Sequence, residues 1–221
     1  MKLILLLALL IVTSFGFGQN ILIGNTGNPK EPSIIFDPSN PQYQIVGAIL
    51  DKVYYSDDYG ATWTMDYLFS SYGVWGDPTL DVDTDGNFYF FHLANPPSGS
   101  WIDRIVCQKS TDKGVSWSDG THMGLNGTKA QDKQWSAIDR SNGTIYVTWT
   151  QFDDYGSSLP SCTSKIMFSK SIDNGDTWTS AISINDVDGD CIDEDNSVEG
   201  AVPCVGPNGE IYVSWAGPNG I

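Results

Sequence analysis

Apolar and polar residues alternate along this chain in short stretches, and the same succession of stretches returns. "TLDVDTDGNFYFFHL" (residues 79–93), "SAIDRSNGTIYVTWT" (136–150) and "AVPCVGPNGEIYVSWA" (201–216) share one plan. Each has an apolar stretch, a turn with Asp or Asn before Gly, and an aromatic-rich stretch with alternating inward and outward residues. That pattern predicts a hairpin of two β-strands. "PSIIFDPSNPQYQIVGAI" (32–49) is a weaker first copy. In the first three copies a third strand follows ("DKVYYS", "RIVCQKS", "SKIMFSKS"), and then a fourth. Helical periodicity is essentially absent, so the expectation is an all-β chain of four-stranded antiparallel units.

Each third strand runs into a repeated octad: "SDDYGATW" (56–63), "STDKGVSW" (110–117) and "SIDNGDTW" (171–178). Its Ser and Asp can bond neighbouring backbone groups and hold a tight turn. Its Gly supplies a positive φ, and its Trp is expected to tuck under the hairpin as an apolar plug. Ser56, Asp58, Gly60 and Trp63, with Ser110, Asp112, Gly114 and Trp117 and with Ser171, Asp173, Gly175 and Trp178, therefore read as structural staples. Repetition at about 55–60 residues of four-stranded sheets predicts a β-propeller. A sandwich is the alternative, but it gives no reason for the repeat. Residues 33–68, 79–125 and 135–184 supply three blades, and 201–216 supply two strands of a fourth, so about 3.5 blades are present.

Ser-x-Asp-x-Gly-x-Thr/Ser-Trp resembles the Asp-box, the bacterial neuraminidase repeat of the sialidase superfamily, and the resemblance runs from about Ile21 to the last residue. It implies a propeller of about six or seven blades. Residues 19–221 are then the N-terminal part of that propeller, ending inside the fourth blade, and monomeric when full length. A closed four-blade ring completed by a strand around Ile21–Gly24 is the alternative. The resemblance also implies an exo-sialidase-like glycoside hydrolase. Such enzymes clamp the substrate carboxylate with three arginines and use an Asp acid/base with a Tyr nucleophile. Here Arg104 and Arg140 are the only arginines, and none precedes Ser56, where the family carries Phe/Tyr-Arg-Ile-Pro. Arg104, in "DRIV", keeps the Arg-Ile pair and is a substrate-binding candidate; Arg140, in the turn "DRSNG", reads as a solvated charge.

In a propeller the first strand of each blade lines the central channel. Aligning the copies puts Glu31, Asp77, Asp132 and Glu199 just before those strands, with Trp75 and Trp135 close by. Asp77, Asp132 and Glu199 are the catalytic candidates, and Glu31, Trp75 and Trp135 join Arg104 as substrate-binding candidates. Carboxylates beside aromatic platforms suit sugar hydroxyls, or a glycosidase pair if two carboxyls lie about 5–9 Å apart. The competing explanation is that acidic residues are frequent here and begin many strands.

Two acidic stretches bear on metals. "DVDTDG" (81–86) copies the first half of a calcium loop, but its twelfth position is His92, so it reads as a hairpin turn. "NDVDGDCIDEDN" (185–196) gathers Asp186, Asp188, Asp190, Asp193 and Asp195 in one loop; it is either a calcium site or a solvated loop. No cofactor is otherwise expected.

Lys2, the apolar run Leu3–Val12 and the small residues at 16–18 read as a signal peptide over residues 1–18, too short to span a bilayer. A secreted or cell-surface protein is therefore expected. Export makes disulfides possible, and of the three full pairings of Cys107, Cys162, Cys191 and Cys204, one bridge is expected, Cys162–Cys191. Those two lie in polar loops; Cys107 and Cys204 lie in apolar strands where a buried free thiol is ordinary. The net charge of −16 repels phosphate backbones and anionic lipid heads, which excludes nucleic acid and membrane surfaces as partners. The resemblance implies glycans or glycoproteins as partners. Three functions stay open: a glycoside hydrolase, a non-catalytic glycan- or protein-binding propeller, and a surface scaffold.

Overall fold

The computed structural model describes residues 20–193 and 196–218; the expected signal peptide lies outside the described residues. Fourteen strands fall into four sheets, and every pairing is antiparallel between neighbours in sequence. The first sheet holds β1 (Ser33–Phe36), β2 (Gln44–Ala48), β3 (Lys52–Ser56) and β4 (Thr64–Tyr67). The second holds β5 (Gly76–Val82), β6 (Phe88–Leu93), β7 (Ile105–Ser110) and β8 (Thr121–Met123). The third holds β9 (Ala130–Asp139), β10 (Thr144–Phe152), β11 (Ser164–Ser171) and β12 (Ile182–Ser183), and the fourth pairs β13 (Glu199–Val205) with β14 (Ile211–Ala216). Residues 21–24 form no strand. Ile23 instead packs on Val46, Ala48 and Tyr54 of the first sheet, so the closing strand considered for a four-blade ring is not formed there. No helix is long and apolar enough to cross a membrane among the described residues.

The core lies between sheets, not between two faces of a sandwich. On β6 the whole run Phe88–Leu93 is buried, because both faces of that strand are covered. Phe88 and Phe90 turn toward Ile45 and Val53 of the first sheet, while Tyr89 and Phe91 turn toward Ile138, Ile145 and Val147 of the third. Alternation that would put polar residues outward in a sandwich here feeds two apolar interfaces. First strands follow one another in contact, β1 on β5, β5 on β9 and β9 on β13. Side chains bridge them: Thr79 Oγ1 donates to the Gln134 carbonyl at 2.9 Å and Ser136 Oγ to Asp81 Oδ2 at 3.3 Å.

The three octads adopt one geometry. Ser56 Oγ donates to Asp58 Oδ1 at 2.8 Å and accepts the Gly60 N–H at 3.0 Å; Asp58 then accepts Thr62 N at 2.9 Å and Thr62 Oγ1 at 2.6 Å. The same contacts recur at Ser110, Asp112, Gly114 and Ser116, and at Ser171, Asp173, Gly175 and Thr177. Gly114 and Gly175 have φ of 86° and 83°. The plug Trp does more than sit under its own hairpin. Trp178 of the third sheet donates its Nε1–H to Thr121 Oγ1 of the second at 2.9 Å and lies edge-on to Phe91. The third turn thus clamps its sheet to the second, whereas Trp63 bonds the Gly60 carbonyl within its own turn.

Cys162 and Cys191 are joined, with Cα atoms 5.6 Å apart. Cys107 is buried, but Cys204 is exposed, contrary to the expectation for a strand cysteine. It sits on the outward face of β13, a strand buried on alternate positions only.

Candidate functional site

The first strands enter the channel through a shared irregularity. Register slips by one residue between Gly76 and Thr79 on β5, between Asp132 and Trp135 on β9, and between Glu199 and Val202 on β13. The residue after the first of each pair is left-handed: Asp77 (φ 50°), Lys133 (φ 53°) and Gly200 (φ 67°). Glu31 (φ 50°) holds the matching place ahead of β1, where Lys30 accepts the Ile49 N–H. These are β-bulges, which bend a strand and re-aim a side chain. Left-handed Glu, Asp and Lys are strained, and such strain gathers at functional sites.

The bulges converge on two adjoining clefts. A larger one, of about 510 Å³, is lined by Glu31, Asp77, Lys133, Gln134 and Trp135 among others. A smaller one, of about 240 Å³, is lined by Glu31, Asp77, Asp132 and Lys133 beneath Trp75, Trp101 and Tyr155. Those three aromatic rings form an arc: Trp101 lies edge-on to Trp75 at 6.0 Å and to Tyr155 at 5.5 Å.

Carboxyl groups run through the clefts as a chain. Glu31 shares a hydrogen bond with Asp77, which, with burial, pushes the Glu31 carboxyl above its ordinary range. Asp77 Oδ2 lies 3.3 Å from Lys133 Nζ. Burial alone would lower the Lys133 ammonium, but the charges of Asp77, Asp132 and Glu31 hold it up. Asp132, 5 % exposed, is pushed up to about 7 by burial and by the negative charge of Asp77. Glu199 is also pushed to about 7, first by burial and then by its contact with Asp193. Asp193 goes the other way, held low by the hydroxyl of Tyr155, which donates to its Oδ2 at 2.6 Å. The site therefore holds protonated and ionised carboxyls side by side near neutral pH.

Glu31, Trp75, Asp77, Asp132 and Trp135 line these clefts, and Glu199 is tied to them through Asp193 and Asp132; Arg104, expected to bind substrate, is elsewhere. Arg104 lines neither cleft. Its Nε and Nη2 are spent on both oxygens of buried Asp103, at 2.7 and 2.9 Å, over the ring of Tyr72. The acidic loop also disperses. Asp188 pairs with Lys165 at 3.1 Å, Asp190 accepts the Ile192 N–H, Asp186 is exposed, Asp193 belongs to the mouth, and Asp195 lies outside the described residues. No three His, Cys, Asp or Glu side chains gather to hold a metal among the described residues.

Three site residues escaped the sequence. Lys133 was hidden because the bulge shifts it, not Asp132, into register with Asp77. Tyr155 and Trp101 come from loops, Tyr155 from the one whose Gly156 N–H reaches the Cys191 carbonyl at 2.7 Å. The "DR" pair at 103–104 was the signal that could have removed Arg104.

No family model and no curated protein matches the chain. Among solved structures it is similar to an α-L-arabinofuranosidase from Fusarium graminearum, at 14% identity over 86% of this chain and 57% of that one, with a TM-score of 0.60. A protein of unknown function from Dyadobacter fermentans gives 16% identity over 86% and 62%, TM-score 0.58. The endosialidase of phage phi92 gives 15% over 79% and 29%, TM-score 0.52. The fold is a β-propeller. The chain spans less than two thirds of each of these structures. What the propeller shares with them is its blades; the mouth described above is read from its own residues.

Proposed function

We propose that this propeller is a secreted, carbohydrate-active protein that binds a saccharide across the mouth clefts and cleaves it by glycoside hydrolysis. The observation that carries this reading is the mixed protonation at the mouth: Asp132 and Glu199 at about 7 beside the ionised Asp193, under an aromatic arc. Glycosidases need one carboxylic acid to protonate the leaving oxygen and one carboxylate to attack or to activate water. Asp132, buried and lining the cleft, is placed for the acid role, with Asp193, held low by the Tyr155 hydroxyl, as the ionised partner. The rings of Trp75, Trp101 and Trp135 offer flat apolar faces to sugar rings. Two of the similar structures, the arabinofuranosidase and the endosialidase, are by name enzymes of glycans, and the signal-like start of the chain supports export.

Arg104 and Arg140 line neither cleft, so among the described residues no arginine is placed to hold a substrate carboxylate there. A second reading, a glycan-binding module without turnover, is favoured by the Lys133–Asp77 pair, which occupies a carboxylate that a hydrolase would leave free. The full chain, incubated with a panel of fluorogenic glycosides including sialosides, separates the two. Turnover abolished in Asp132→Asn supports the hydrolase; binding without turnover on any glycoside supports the module; neither binding nor turnover refutes both.

A further inference from the structure

Among the described residues the two clefts carry three carboxyls, Glu31, Asp77 and Asp132, and one cation. Lys133 is, among the described residues, the one basic side chain lining either cleft, and it already faces Asp77. One buried group, among the described residues, points the same way independently of the charge count. Gln134, 2 % exposed, lines the larger cleft, spends its amide N–H on the carbonyls of Asp77 and Phe91, and leaves Oε1 without a partner. Asp132 lines the smaller cleft, where its Oδ1 takes the Lys133 N–H. Buried acceptors without donors are expensive, and a ligand that brings N–H or O–H groups relieves them.

Resting on the reading that a saccharide binds here, we infer that the mouth selects sugar units with a free, protonated amine and rejects units carrying carboxylate, sulfate or phosphate. An ammonium supplies three donors and a positive charge in one group. Placed beside Glu31, Asp77 and Asp132 it donates to carboxyl oxygens that Lys133 alone does not satisfy, whereas an anionic group would set acceptors against acceptors. The arc of Trp75, Trp101 and Tyr155 adds ring faces that attract cations. N-acetylation removes the charge and leaves one N–H, so the acetylated unit keeps only the stacking and hydroxyl contacts. Glu31 and Asp77 are thereby specificity-determining residues, set at the mouth by their bulges.

Titration calorimetry on the full chain tests this with three probes: a glucosamine trisaccharide, its N-acetylated form, and a galacturonate trisaccharide, at a pH that keeps the amine protonated. The expected order is amine over acetamide by about tenfold, a lead that shrinks as salt screens the charges, with no measurable galacturonate binding. The double change Glu31→Gln with Asp77→Asn should narrow the lead. If that variant fails to melt cooperatively, the salt titration of the unaltered chain reads the same charge. Equal binding of amine and acetamide, or any binding of galacturonate, overturns the inference while leaving saccharide binding intact. No binding of any probe overturns both.

Discussion

Aspartates in the octad turns are surrounded by donors, whereas those at the mouth are surrounded by one another. Asp58 and Asp173 accept backbone and hydroxyl hydrogen bonds from Thr62 and Thr177, which hold their carboxyls down at about 2. Buried Asp132 and half-buried Glu199, beside other acids, are held up at about 7. One residue type thus serves opposite ends. In the turns each contact is local and satisfied, so the charge stabilises the fold. At the mouth the charges oppose one another, the backbone is strained, and an acceptor of Gln134 is left open. Arrangements that lower stability without local compensation mark where function was selected.

The comparison is most exposed to a change at Asp132. Asp132→Asn should lower turnover by about 10²- to 10⁴-fold, the range for loss of a general acid, with a melting temperature at neutral pH equal to or above that of the unaltered chain. A melt that collapses with the activity would make Asp132 structural and end the contrast. Next comes Gly114→Ala in the second octad. Its Cβ would run into the Ile45 side chain at a left-handed φ, and urea unfolding should show a loss of about 2–4 kcal/mol. Ser110→Ala is milder. It strands the buried Gly114 N–H, and about 1–3 kcal/mol should disappear while any activity at the mouth is retained.

The smallest effect is in the pH profile of melting, and its two limbs have opposite origins. Turn aspartates have folded values below the unfolded value of about 3.9. Their contribution is therefore present above about pH 4 and lost as pH falls toward about 2. Mouth carboxyls have folded values above the unfolded ones, so their contribution is full below about pH 4 and is lost as pH rises through about 7. A drop of a few degrees between about pH 4 and 7, flattened in Asp132→Asn, is expected from differential scanning calorimetry. A flat profile in the unaltered chain would mean that the mouth acids are solvated.

Fold was the more legible part of this sequence, for a physical reason. Blades and turns are specified by neighbours: the Ser, Asp and Gly of "STDKGVSW" bond within five residues of one another, so the letters carry the geometry. The mouth is assembled across sheets. Asp77, Asp132 and Glu199 could be assigned to the strand entries from the repeat, but their register could not: Asp132 and Glu199 match Gly76, while Asp77 matches Lys133, since alternation breaks where the bulge adds a residue. Tyr155 meets Asp193 across the loops that Cys162 and Cys191 join, and nothing local to either residue announces the other. Arg104 failed for the converse reason, because its partner is its immediate neighbour and the family pattern drew attention away from it.

The bulge at each strand entry also bears on how such a protein changes over time. Its residue is held by the backbone and faces the channel, outside the regular ladder of paired residues on either side. Four copies of that address hold Glu31, Asp77, Lys133 and Gly200, an acid, an acid, a base and no side chain at all, on sheets that otherwise share one register plan. The address works as an exchangeable socket. Charge and size can be swapped one blade at a time with the scaffold undisturbed, within one limit: β-branched residues are barred by the left-handed φ. A lineage built this way can retarget its mouth through single substitutions, without rebuilding a strand.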